Sequence, residues 1–375
     1  MNILITNSTC LQDIKGGASR AVHEIASYFS EEGNNKVVVF VPSRIKKQNN
    51  IGLELTVNGY YLYRYLNFSG FLRPLNIITA NIAFWQLNRK QKFDIIWGNS
   101  PEPWLYIKFW KFGKKLYSMH GPWLLESELD GRTNKLRRLA IKFIYNIIIT
   151  KNTVLHFQSK YVKDACINES KSLNKCSKII ISPILIDEGK LTNIRYSQYS
   201  NLLNYNKINI LIARRLVNRT GVLEFINSFS KFTEKFRKNY NILIVGTGYL
   251  YEKLLESVQE LEEIKILGEI PQADLDYLYG ACDVVLMPSL AAEGFGVSIL
   301  EAIFRNTPVI YTSGGGMDEF LNPILPNLKY DFNDTKQLQR ILCKLIYLKS
   351  TSNLNVDKSK IKYNFKCSIK KIISQ

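Results

Sequence analysis

The sequence predicts two doubly wound, Rossmann-like α/β domains facing a central cleft. Three observations carry this. Short β-branched runs alternate with amphipathic helical stretches from the first residues onward. A polar, irregular stretch near residues 187–206 interrupts the alternation, which restarts at Ile208. The length is 375 residues, with 46% hydrophobic and 22% charged residues, enough for two packed cores.

Asn2 to Thr6 reads as a strand, followed by a loop with Gly16-Gly17 and a helix from about Ala18 to Glu32. Ala21, Val22, Ile25, Ala26 and Phe29 fall on one helical face, Gly33 caps the helix, and Lys36 to Val41 is a run typical of a buried parallel strand. Phe93–Trp97, Lys115–Met119 and Thr153–Phe157 continue the strands, with a long helix over Asn134–Ile149. In the second half, strands are expected at Ile208–Ala213, Asn241–Val245, Glu263–Leu267, Asp283–Met287 and Pro308–Tyr311. Helices are expected at Gly221–Phe236, Leu275–Ala281 and Val297–Phe304. The domain reading is 1–190, a linker at 191–206, a second domain at 207–355, and a C-terminal helix within 356–375 returning to the first domain. In open α/β sheets ligands bind beyond the carboxyl ends of the strands, so the cleft is the expected site.

Composition narrows the class. Six Cys without a CxxC pair, and three His, exclude a disulfide scaffold and argue against a structural zinc site. The start, Met1-Asn-Ile-Leu-Ile-Thr, lacks the basic and apolar regions of a signal peptide, and no stretch is apolar enough to span a bilayer. A cytoplasmic protein is expected, at the inner face of the cell membrane if it meets lipid. The formal charge is +18, with +14 of it in residues 1–200. This suggests an anionic partner for the first half, or a compositional bias toward Lys.

The most informative window runs from Pro288 through Glu293-Gly-Phe-Gly to Glu301-Ala302. A strand ends, a glycine-bearing loop follows and a helix begins, so free backbone N–H groups can meet an anion. Glu293 and Glu301 have seven residues between them. Carboxylates there can accept hydrogen bonds from sugar and ribose hydroxyls, although either Glu alone reads equally as a solvated charge.

This stretch resembles the EX7E motif of the retaining GT-B glycosyltransferases of family 4. Further fragments follow in the same order: Gly16-Gly17, His120-Gly121, Ala213 to Gly221 (ARRLVNRTG), Val245-Gly246-Thr247-Gly248, Gly268 to Pro271 and Ala281 to Val284. The resemblance implies a nucleotide-sugar donor, a UDP-sugar first and a GDP- or ADP-sugar second, bound mostly by the second domain. A glycan or lipid-linked glycan acceptor would meet the first, as in surface-polysaccharide biosynthesis.

The resemblance also implies residue roles. Arg215 matches the diphosphate-binding Arg. The second cation, usually Lys, aligns with Thr220, and Arg219 one residue earlier is expected to replace it, with Arg214 as the fallback. Glu301 would hold the ribose and Glu293 the donor sugar. The backbone of Gly294, Phe295, Gly296 and Val297 would approach sugar and phosphate, and Ile270 the base, with Gly246 in the nucleotide-side turn. His120 would face the anomeric carbon, whereas His23 and His156 read as structural. The expected catalytic set is therefore His120, Glu293, Arg215 and Arg219.

Asp274-Leu-Asp276 has the spacing of a metal-binding carboxylate pair, but it opens a predicted helix, where Asp is favoured by capping and by the dipole. No essential metal or other cofactor is expected. The clusters Trp104–Lys115 and Lys135–Lys142 mix large apolar residues with Lys and Arg. They read either as ordinary helices with solvated basic faces or as a peripheral contact with anionic lipid. Competing functions are a catalytically degenerate sugar-nucleotide-binding protein and a basic nucleic-acid-binding protein. The second lacks a recognition-helix or RNP-like motif, so no nucleic-acid partner is expected. Within the enzyme class an epimerase shares the architecture but not normally this Glu-loop-Glu arrangement, and a phosphorylase would need a cofactor-bearing Lys that this sequence does not reveal.

Overall fold

This computed structural model describes the chain except for residues 12–16, 33–34, 44–51, 57–58, 112, 151, 177, 184–185, 189–195, 291–292, 351–355, 357–360, 362–364 and 375. Gly16, the capping Gly33 and much of the linker lie outside the described residues. The chain forms two compact units. One comprises Met1–Pro122, Asn134–Leu185 and Phe365–Gln375, and the other Trp123–Thr133 and Ile186–Asn364.

The first unit is built on eight strands: β1 (Asn2–Thr6), β2 (Lys36–Pro42), β3 (Gly52–Leu55), β4 (Tyr61–Tyr65), β5 (Ile95–Gly98), β6 (Lys114–Met119), β7 (Thr153–Phe157) and β8 (Lys178–Ile181). They run in the order β3-β4-β2-β1-β5-β6-β7-β8, and every pair is parallel except β3 with β4. Ile3, Leu4 and Ile5 are wholly buried, as are most of Val37–Val41. A central parallel strand is covered on both faces, which is why these stretches read as unbroken apolar runs. The predicted long helix is present as Lys135–Ile148, and Asn134 caps it by accepting from the Arg137 N–H at 2.8 Å.

The second unit carries a wholly parallel sheet of six strands: β9 (Ile208–Ala213), β10 (Tyr240–Val245), β11 (Ile264–Gly268), β12 (Val284–Met287), β13 (Val309–Thr312) and β14 (Lys329–Tyr330). Their order is β11-β10-β9-β12-β13-β14. Both sheets are therefore doubly wound, as the alternation predicted.

Three features depart from the sequence reading or lie outside it. The helix expected over Gly221–Phe236 stops at Phe229 and restarts as Glu234–Arg237. Thr233 starts the second piece by accepting from the Phe236 N–H, while Phe232 turns into the core. The segment 45–90, where the sequence shows little pattern, contains β3, β4 and the helix Asn76–Lys90. Trp123–Thr133 follows the first unit's β6 in sequence yet packs with the second unit. The C-terminal helix Phe365–Ile373 belongs to the first unit, where Lys114 donates to the Ile373 carbonyl at 2.9 Å.

His156 is structural, as expected. It is fully buried on β7, where its Nε2–H donates to the Ser182 carbonyl at 2.6 Å. Its Nδ1 then accepts from the Ser118 hydroxyl, which in turn accepts from the Trp97 indole. Burial lowers its pKa from 6.5 to about 4. Between those values the unfolded chain binds a proton that the folded chain refuses. The stabilisation is complete above pH 6.5 and is lost as the pH falls toward 4. The melting temperature should therefore fall across this window, and His156→Asn should flatten the slope while lowering stability throughout. An unchanged slope, read by thermal denaturation at several pH values, would contradict this assignment.

Candidate functional site

In the second sheet the chain progresses outward from β9 through β10 to β11, then returns to β12 beside β9 and proceeds the other way. Helices leave the two sides of this switch point in opposite directions, which opens a crevice at the carboxyl ends of β9 and β12. The loops that begin there contain ARRLVNRTG and the Glu293 segment.

Arg214 is the first residue past β9. Its guanidinium, with a side chain only 6% exposed, donates to Glu293 at 2.5 Å and to the Ser289 hydroxyl at 2.9 Å. Arg219 lies in the same loop. Its backbone N–H reaches Asp130 at 3.4 Å and its Nε lies 3.7 Å from that carboxylate. Burial alone would raise the pKa of Glu293, but the nearby guanidinium groups of Arg214 and Arg219 hold it below the usual carboxylate range. Burial likewise works against the charge on Arg219, and the fields of Glu126, Glu293 and Asp130 outweigh it. Two cations and an anionic carboxylate thus share one crevice.

The remaining predicted residues divide by environment. Arg215 is exposed, and among the described residues no side-chain partner is found for its guanidinium. Thr220 carries no charge to the site: its hydroxyl donates within the loop, to the carbonyls of Arg215 and Val217 at 2.8 and 2.7 Å, and closes the turn. Gly221 follows with φ +69°, and a Cβ there would run into the Pro288 carbonyl. Gly246 and Gly248 sit so close to the carbonyls of Arg214 and Leu216 that neither tolerates a Cβ. This turn buttresses the basic loop, and Leu216 N–H donates to Thr247 at 2.9 Å.

Gly296, with φ +82°, precedes the helix Val297–Ile303. Gly294 and Phe295 are buried, and Phe295 packs edge-on against Phe320 with centroids 4.9 Å apart, anchoring the loop. Val297 is half-buried, and Ile270, just past β11, is buried. Glu301 is 7% exposed, and its carboxylate takes a hydrogen bond from the Tyr279 hydroxyl, whose pKa is raised first by burial and then by that carboxylate. Neither Asp274 nor Asp276 is free. Asp274 takes hydrogen bonds from Ser197 and Gln198, and Asp276 lies 3.1 Å from the Arg305 guanidinium. Among the described residues no group of three or more His, Cys, Asp or Glu could hold a metal.

In the first unit the same edge of the sheet holds His120, just past β6. Gln158 donates to its Nδ1 at 2.6 Å, so the proton sits on Nε2 and is directed at Asn99 Oδ1, 3.2 Å away. Burial lowers its pKa to about 4, which keeps the imidazole neutral near pH 7. Asn99 and Gln158 follow β5 and β7, so three neighbouring strand ends build this group. Gly17 opens the helix Gly17–Glu31 into free space. His23 pairs with the Tyr60 hydroxyl at 3.0 Å and reads as structural here too.

The sequence pattern missed Ser289, Asp130 and Tyr249. Tyr249 Oη accepts from the Asn218 N–H at 2.9 Å and lies 3.4 Å from Asp130. A serine after a strand gives no distinctive signal, and Asp130 is some 90 residues from its partner Arg219 in the chain.

Arg214→Met should leave a largely buried Glu293 without its partner and cost roughly 3 kcal/mol, the range for breaking a buried ion pair. Adding Glu293→Gln should recover part of that loss, whereas Arg215→Ala should leave stability unchanged. Urea denaturation of the three variants beside the wild type checks this. Equal losses for Arg214→Met and Arg215→Ala would be inconsistent with the geometry.

Comparison with known proteins agrees with this architecture. The Glycosyl transferases group 1 family matches residues 197–357, and Glycosyltransferase Family 4 matches residues 15–171. A trehalose synthase of Thermococcus litoralis is 24% identical over 244 residues, 60% of this chain and 55% of that one. The chain thus spans little more than half the length of that curated relative. A sucrose-phosphate synthase structure from Thermosynechococcus elongatus superposes with a TM-score of 0.75 at 15% identity, over 100% of this chain and 94% of the other. The Anabaena Alr3699/HepE structure in complex with UDP-glucose gives 0.74 at 17% identity, over 100% and 98%. At these identities the structural likeness speaks for the fold, and the two family matches together run through most of both units. The chain belongs to the family 4, group 1 glycosyltransferases of GT-B fold.

Proposed function

We propose that this protein transfers a sugar from a nucleotide-sugar, a UDP-sugar in the first instance, to a glycan or lipid-linked glycan, with retention at the anomeric carbon and without a metal. The observation that carries the reading is the crevice at the β9/β12 switch point, where Arg214, Arg219 and an ionised Glu293 converge. A nucleoside diphosphate leaving group needs cations, and a sugar needs a carboxylate acceptor beside them.

In this reading Arg215 and Arg219 hold the diphosphate. Arg215 has an uncommitted guanidinium, and Arg219 is held loosely enough by Asp130 to exchange a carboxylate for a phosphate. Arg214 orients Glu293, which accepts from hydroxyls of the donor sugar. Glu301 accepts from the ribose, with Ile270 beside the base and the backbone of Gly294 to Val297 beside the sugar and phosphate. Neutral His120 serves as a hydrogen-bonding group toward the sugar, because a pKa near 4 makes it a poor proton acceptor. The bond from the anomeric carbon to the diphosphate oxygen breaks, and the acceptor oxygen bonds to that carbon on the same face. The acceptor's proton passes to the departing diphosphate.

Surface-polysaccharide assembly at the inner face of the membrane fits a lipid-linked acceptor and the basic first unit. Among the described residues no helix is long and apolar enough to cross a membrane, which fits peripheral contact.

A thermal-shift screen against UDP, GDP, ADP and their sugar conjugates, with and without EDTA, tests the donor site. A ligand at 100 times its Kd should stabilise by about 2.7 kcal/mol. The shift should persist in EDTA and be lost in Arg215→Ala and Glu301→Gln, the latter chosen to preserve the Tyr279 contact. No shift with any nucleotide overturns the reading. A shift without release of nucleoside diphosphate in the presence of glycan acceptors favours the degenerate alternative.

A further inference from the structure

Two helices of the first unit each carry a second apolar stripe that the core does not use. On the helix Lys135–Ile148, Ile141, Tyr145 and Ile148 are buried. At about 100° per residue, Leu136, Leu139 and Phe143 fall on the opposite side, and they are 78%, 66% and 63% exposed. On the helix Asn76–Lys90, Ala80, Ala83, Phe84 and Leu87 are buried, while Ile78, Ile82 and Trp85 lie exposed on the far side. Just before that helix Phe71 is 97% exposed.

Both helices pack against the short helix Pro101–Ile107, so the three form one layer on the sheet. Asn81 donates to the Tyr106 carbonyl at 3.0 Å and Trp104 to the Ile148 carbonyl at 3.1 Å, joining the layer edge to edge. Stripes opposite the core in a single layer point outward on the same side of the unit. Trp104, in the cluster that the sequence offered either as ordinary helix or as lipid contact, is wholly buried, and among the described residues of that segment Phe109 is the exposed aromatic.

Charge identifies the occupant. Lys135 and Lys142 are exposed and flank the outward stripe of their helix, and Arg137 and Arg138 are exposed in its first turns. Arg89 and Lys90 end the other helix, with Arg89 lying 4.8 Å over the Trp85 ring. Neither helix contains an Asp or Glu. A soluble partner of ordinary charge would leave these cations unmatched, and a second copy would set them against themselves. An apolar stripe bordered by Lys and Arg suits the boundary between anionic headgroups and acyl chains.

We propose that this layer is a lipid-docking surface. Leu136, Leu139, Phe143, Ile82, Trp85 and Phe71 enter the interface of an anionic bilayer while the neighbouring Lys and Arg contact its phosphates. The proposal deepens the peripheral-enzyme reading above and rests on it only for the reason a bilayer would matter.

The test is flotation of the full-length protein with vesicles of phosphatidylcholine, with and without phosphatidylglycerol, at low and high salt. Wild type should float with the anionic vesicles, weakly at high salt and not with the neutral ones. Leu139→Glu/Phe143→Glu and Ile82→Glu/Trp85→Glu should each reduce binding about tenfold or more. Both double variants change exposed positions, and each should keep the wild-type melting temperature and its shift with nucleotide-sugar. That second readout separates failure of the surface from failure of the donor site. No flotation of wild type at low salt overturns the proposal, as does flotation that both variants retain. Self-association lost in the variants without vesicle binding also overturns it, by assigning the surface to a second copy.

Discussion

The ion pair between Arg214 and Glu293 joins the loops that leave β9 and β12, the two strands between which the second sheet changes direction. Either loop alone would present a charge to a largely buried crevice. Together they neutralise one another and leave a low-pKa carboxylate facing a cationic loop. Backbone contacts tighten the same junction. Leu290 N–H donates to the Arg219 carbonyl at 3.0 Å, and Gly316 N–H to the Glu293 carbonyl at 3.0 Å. Gly221 lies so near Pro288 that only glycine fits. The basic loop, the Glu293 loop and the glycine turn after β10 form one support, and the chemistry assigned to them depends on their being held together.

That junction explains a division of labour among three arginines within six residues. Arg214 points into the crevice and is committed to Glu293 and Ser289, which suits orientation of the carboxylate better than diphosphate binding. Arg215, next in sequence, is exposed, as the backbone turning away from the strand requires of alternate side chains. Arg219 lies between these cases, tied loosely to Asp130 from a segment that precedes it by some 90 residues. Thr220, where the resemblance places a cation, spends its hydroxyl on closing the loop, and Arg219 stands one residue earlier.

Much of the fold was legible because a central parallel strand leaves a strong mark. β1, β7 and β9 coincide with the runs Asn2–Thr6, Thr153–Phe157 and Ile208–Ala213, which are apolar because both faces are covered. β3 and β4 were not legible. β3 is short, mostly exposed and antiparallel at an edge, and β4 alternates Tyr with Leu and Arg under a pattern too brief to register. The break after Phe229 depended on a Thr233 cap, a contact that periodicity cannot display. The outward stripes on Asn76–Lys90 and Lys135–Ile148 were hidden as well, because a helix apolar on two sides looks in sequence like a helix with one broad core face.

Local sequence was enough for the fold class, the order of most strands and helices, and the group of residues from which the site is drawn, because strand burial and glycine-bearing turns leave traces in neighbouring residues. The pairings within that group belong to the folded chain. Arg214 rather than Arg215 meets Glu293, Asp130 meets Arg219, Glu301 is bound to Tyr279, and His120 is held neutral between Asn99 and Gln158. Each is a contact between strand ends or loops far apart in the chain. Their pairing follows from the order of strands in the sheet and from burial, which sets protonation, and neither is written in the spacing of residues along the chain.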